Sequence, residues 1–99
     1  MSDTPLLDVG HGLQAGLRLS EGFPDLEDGV PVGVLLSHPC AARGGGVVED
    51  FIPIDYPGNV LPERHWRLTA REPISIEPSV HYTCCGVHGF LREGKWVPA

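Results

Sequence analysis

Apolar and polar residues alternate with a period of two along much of this chain of 99 residues, the spacing of a β-strand with one face turned to a core. The clearest run is Val30, Val32, Val34, Leu36 and His38, interleaved with Pro31, Gly33, Leu35 and Ser37. Leu13, Leu17 and Leu19 come before it and predict a strand ending near Ser20. Val47 to Ile54 predicts another, closed by Pro53 and then Pro57-Gly58-Asn59. His65 to Thr69 gives a short strand with Trp66 and Leu68 on one face. Ile74, Ile76, Pro78, Val80 and Tyr82 share one parity, and Pro78, with no N–H for a ladder, confines that strand to a sheet edge or a bulge. Gly89-Phe90-Leu91 and Lys95-Trp96-Val97 flank Arg92-Glu93-Gly94, a hairpin whose turn takes positive φ at Gly94.

Between these runs the chain reads as connections. Residues 1–12, with Pro5, Gly10 and Gly12, read as an N-terminal arm, and Glu21 to Gly29 as an acidic surface link with room for one turn of helix. Gly44-Gly45-Gly46 is a loop; it lacks the Lys-Ser/Thr ending and following helix of a phosphate-binding loop. The expectation is an all-β fold of about six short strands with little helix. They form a small antiparallel sheet or a partly open barrel within one domain over residues 13–99.

Composition sharpens this picture in one respect. With 13 glycines and 10 prolines the chain is heavily punctuated, and a core this small gains from a staple such as a bound metal. Three cysteines, an odd number, argue against a secreted disulfide framework and for a reducing, cytoplasmic setting. No basic and apolar leader opens the chain, and no apolar run has transmembrane length, so no membrane role is expected.

The net charge of −6 is concentrated early, where Asp3, Asp8, Glu21, Asp25, Glu27 and Asp28 face Arg18 alone. An acidic chain without a basic stripe is a poor fit to nucleic acid. Arg64, Arg67 and Arg71 are the one basic cluster and read as a solvated or acid-paired face.

The candidate chemistry lies in two short segments. His38-Pro39-Cys40 and Cys84-Cys85-Gly86-Val87-His88 hold all three cysteines and two of the five histidines. On an extended backbone His38 and Cys40 share a face, and Cys85 and His88 enclose a turn at Gly86. Together they make the Cys₂His₂ set that zinc takes in structural sites. Cys84 and Cys85 are neighbours, so extended backbone would send them to opposite faces. That assigns Cys85 as the ligand and leaves Cys84 as a packed thiol; the competing set exchanges the two. His81 has the wrong parity, and His65 and His11 have no ligand-spaced neighbour. Trp66 and Trp96 sit at strand positions that suit packing. No Ser-His-Asp order, nucleophile elbow or Cys-x-x-Cys pair is present.

His38-Pro39-Cys40, Trp66-Arg67-Leu68, Pro73-Ile74-Ser75-Ile76, Cys85-Gly86-Val87-His88-Gly89-Phe90 and Gly94-Lys95-Trp96 follow one another in an order that resembles a family of small bacterial and phage zinc-binding domains of unknown function. The resemblance covers roughly residues 30–97. It implies a zinc-binding β domain with His38, Cys40, Cys85 and His88 as ligands. Some bacterial relatives look associated with ubiquitin-like conjugation systems.

The expected function is a zinc-stabilised, non-enzymatic module that binds another protein, as a phage or bacterial accessory factor. A phage virion component and a small zinc-dependent hydrolase or modification enzyme are the alternatives. The hydrolase requires one ligand position left to water.

Overall fold

The computed structural model describes residues 2–23, 25–56 and 66–99. Among the described residues the chain is all-β with antiparallel strand pairs, as its alternation predicts, and ten strands stand where about six are expected. These are β1 (Ser2–Asp3), β2 (Leu7–Gly10), β3 (Leu13–Leu19), β4 (Pro31–Cys40), β5 (Gly46–Pro53), β6 (Arg67–Arg71), β7 (Ile74–Glu77), β8 (Val80–His81), β9 (His88–Arg92) and β10 (Lys95–Pro98). One 3₁₀ turn, Ala41–Arg43, joins β4 to β5. The Pro57-Gly58-Asn59 turn, Arg64 and His65 lie outside the described residues, so the strand expected from His65 is described only from Trp66.

Three sheets result: five strands in the order β1-β3-β4-β5 with β2 also on β3, three in the order β10-β9-β8, and the pair β6-β7. Pro78 accounts for one division. The run from Ile74 to Tyr82, expected as a single strand, breaks there into β7 and β8, which belong to different sheets. Val34 and Leu36, Ala15 and Leu17, Ile52 and Ile54, Ile76, Val80, Leu91 and Trp96 meet in one apolar core that joins the sheets.

The first residues are not a free arm. Ser2 and Asp3 pair with Leu19 and Arg18, and Arg18 Nε donates to Asp3 Oδ1 at 3.1 Å. Thr4 and Leu17 exchange bonds, Thr4 N to Leu17 O at 2.8 Å and Leu17 N to Thr4 Oγ1 at 2.7 Å. Leu7–Gly10 then folds back on β3 through Gly10-His11-Gly12, all three at positive φ, and buries Val9. The acidic link between β3 and β4 is made of turns without helix among the described residues. Ser20 Oγ closes its base, accepting from Val30 N and donating to Glu27 O.

β4 lies between β3 and β5 and is buried on both faces, where alternation predicts one. Its second face is covered by neighbours that fill the space over glycines. A Cβ on Gly33 would lie 2.0 Å from the Phe51 ring, and one on Gly16 would lie 2.9 Å from Thr4 O. The centre of the molecule is therefore the strand that ends in His38-Pro39-Cys40.

Of the arginines, Arg67 reaches Glu77 across β6–β7 at 4.0 Å, and Arg71 donates to Gly29 O at 3.0 Å. No helix among the described residues is long and apolar enough to cross a membrane.

Candidate metal centre

Strand period places the first two candidate ligands. His38 and Cys40 follow Val34 and Leu36 on the core face of β4, and both are buried. Beyond Cys40 the 3₁₀ turn bends the chain away, with Gly44 N donating to Ala41 O and Gly45 N to Cys40 O. The amides of Ala42 and Arg43 lie on this turn and favour the charged form of the Cys40 sulfur. The Ala41–Gly46 loop thus builds the surroundings of a thiolate.

The second segment is a turn. Gly86 N donates to Tyr82 O and Tyr82 N to Val87 O, both at 2.8 Å, and Gly86 takes φ of 78°. Neighbouring side chains on a turn need not oppose one another as they do on a strand. Cys84 and Cys85 therefore both reach the end of β4. Cys40 Sγ lies 3.5 Å from Cys84 Sγ, which lies 3.7 Å from Cys85 Sγ. One donor atom from each of His38, Cys40, Cys84 and Cys85 falls within 4.8 Å of the others.

The cluster differs from the expected set at two places. Cys84 is not a packed thiol: it is exposed and belongs to the cluster beside Cys85. His88 stands apart. It pairs with His81 across β8–β9, where the neighbouring pair Val80 and Gly89 is buried, so alternation turns both imidazoles to the outer face. There the two rings stack at 4.7 Å, and His88 Nε2 is 3.1 Å from Ser79 Oγ.

His38 is the most informative member. It is fully buried, and neither Nδ1 nor Nε2 has a hydrogen-bond partner among the described residues. A buried imidazole without partners loses its hydration and regains nothing, a cost of about 1–3 kcal/mol. A metal ion on one nitrogen would supply the missing interaction. Tyr82, which the sequence reading treats only as a core position, lies flat on the ring with centroids 3.9 Å apart and planes at 17°.

The thiols are electrostatically linked. Burial disfavours charge on Cys40, but hydrogen bonds from Cys84, the Ala42 amide, Cys85 and the Arg43 amide outweigh it and hold its pKa below the ordinary thiol value. Cys84 is pushed up to about 11, first by its hydrogen bond to Cys40, then by that to Cys85, then by burial. Burial, with the charges of Asp50, Cys84 and Cys85, raises the Tyr82 phenol as well.

Three thiols and one imidazole form a donor set for a soft or borderline metal ion. The cue to Cys84 in the sequence is Cys-Cys-Gly itself, because a glycine able to take positive φ marks a tight turn that can aim two adjacent thiols at one point. No protein-family model matches this chain, and neither a curated protein nor a solved structure matches it.

Proposed function

We propose that the chain is a zinc-stapled β module that acts by binding another protein, with the ion held by His38, Cys40, Cys84 and Cys85. The observation that carries the metal reading is His38, buried with both ring nitrogens unpartnered beside three thiols. Distance supports zinc. A tetrahedral ion with Zn–S of about 2.3 Å sets its sulfurs about 3.8 Å apart. The sulfur separations of 3.5 and 3.7 Å lie close to that value.

Four protein donors fill a tetrahedron, so the ion's work is structural. It ties β4, the central strand, to the turn between β8 and β9, across the junction of two sheets. Its binding energy then enters the folding energy directly.

Support for a binding role comes from the strand that follows the site. Among the described residues β4 is the one strand paired with β5, and at the C-terminal end of β5 only Trp66 N donates to it, to Pro53 O at 3.3 Å. Its outer face bears Val47 and Phe51, which are 69% and 46% exposed, with Glu49 between them. An open edge with apolar positions two residues apart suits an added strand from a partner. The intervening acid favours a partner strand with basic residues.

The test is metal content with unfolding. The reading expects one zinc per chain after purification, lost together with cooperative unfolding in Cys85→Ser and His38→Ala. A metal-free chain with an unchanged melting transition rejects it. For the surface, a peptide alternating lysine and valine should bind and be weakened by Phe51→Lys; equal binding of a glutamate–valine peptide rejects that part.

A further inference from the structure

We propose that the thiol cluster is a hydroperoxide-sensitive modification site, in which Cys84 is oxidised first and Cys40 then closes a Cys40–Cys84 disulfide that replaces the metal as the link between β4 and the β8–β9 turn. The inference rests on the zinc reading for the reduced state. It begins from an asymmetry among the sulfurs. Cys84 is exposed, whereas Cys40 is 1% exposed at the end of a strand buried on both faces. A small oxidant from solvent therefore meets Cys84 before Cys40.

The resolving thiol is already in reach. Cys40 Sγ lies 3.5 Å from Cys84 Sγ, against about 2.05 Å for a formed disulfide, so the sulfurs need close by about 1.5 Å. Cys85 Sγ is nearly as near at 3.7 Å. Joining neighbours, however, closes a small ring through their shared peptide bond, whose planarity resists it. Cys40 comes from a separate strand and carries no such constraint. Distance and ring strain together select Cys40.

The chemistry balances with peroxide as the oxidant. Cys84, which the proposed ion would hold as a thiolate, attacks the O–O bond, giving a sulfenic acid and hydroxide. The Cys40 thiolate then attacks the sulfenic sulfur, forming the S–S bond and expelling a second hydroxide. Two protons convert these to two waters; each sulfur gives up one electron, and the peroxide takes both. His38 and Cys85 alone would then remain as donors, too few to hold an ion. The new bond joins the same two segments that the ion had joined, so the fold retains its staple.

The test uses the zinc-loaded full chain, hydrogen peroxide, a chromophoric zinc chelator and non-reducing peptide mapping. The tryptic peptides Leu19–Arg43, with Cys40, and Glu72–Arg92, with Cys84 and Cys85, separate the outcomes. The expected result is zinc release in step with a cross-link between these peptides, with Cys85 still open to alkylation and full reversal by dithiothreitol plus zinc. A Cys84–Cys85 link within one peptide, sulfinic acid at Cys84 without a cross-link, or zinc retained under peroxide overturns the proposal and leaves the zinc reading intact. A chain that never takes up zinc removes the zinc reading; the same mapping on that reduced, metal-free chain then decides whether Cys40 and Cys84 pair.

Discussion

The imidazole of His38 lies flat against the ring of Tyr82, with centroids 3.9 Å apart and planes 17° from parallel. Tyr82 begins the turn that carries Cys84 and Cys85, so this stack joins the two halves of the candidate metal centre through their side chains, beside the link that the proposed ion would make. Its hydroxyl has no hydrogen-bond partner among the described residues, which makes the ring the contributing part. Tyr82→Phe should therefore leave the melting midpoint nearly unchanged, within about 1 kcal/mol. Tyr82→Ala should cost about 2 kcal/mol, since the ring is only partly buried, and should weaken zinc by about tenfold or more through loss of the support that orients His38. Calorimetry and competition with a metal chelator check both variants.

His38 and His88, the two histidines expected as ligands from the sequence, should behave oppositely. His38→Ala removes a buried donor and is expected to abolish stoichiometric zinc. His88→Ala alters an exposed residue bonded to Ser79 and should keep one zinc per chain. Metal analysis of the two purified variants decides this. Loss of zinc from His88→Ala alone would restore the set expected from the sequence.

Gly86 fixes the turn that aims both thiols. Its φ is 78°, and a Cβ built there meets nothing within 4 Å. The cost of Gly86→Ala is therefore conformational rather than steric, about 1–2 kcal/mol for a left-handed residue. Gly86→Asn should cost less, because asparagine tolerates that region. Denaturant unfolding of the zinc-loaded variants should rank them wild type, Asn, Ala.

Gly89 presents the opposite case. A Cβ there would lie 2.6 Å from Val97 O and 2.8 Å from the Trp96 ring, whose face it lets settle on β9. Gly89→Ala must displace backbone or a buried indole and should destabilise by about 1–3 kcal/mol. Near-ultraviolet circular dichroism should report the altered Trp96 environment alongside the lowered midpoint.

Much of this fold is legible in the alternation. The β4 run, the Gly94 hairpin and the pairing of His38 with Cys40 on one face all follow from period two. Glu93 and Gly94 both take positive φ in the hairpin turn, at 50° and 73°. What alternation misses arises where its premise ends. Cys84 was expected to oppose Cys85 because extended backbone was assumed through a segment that is a turn. His88 was expected to converge with Cys85, but by then the chain has entered β9 and faces outward. The N-terminal strands give no strand signal, because short strands of two and four residues, separated by Pro5, show no periodicity of their own. They are held by register with β3, a long-range property. The burial of β4 on both faces likewise depends on Phe51 and Thr4 crossing over Gly33 and Gly16.

Zinc K-edge X-ray absorption on the purified full chain decides which donors hold the ion. A sphere of three sulfurs at about 2.3 Å and one imidazole nitrogen at about 2.0 Å is the predicted result. Two sulfurs with two imidazole nitrogens, or a sphere containing water oxygen, would contradict it.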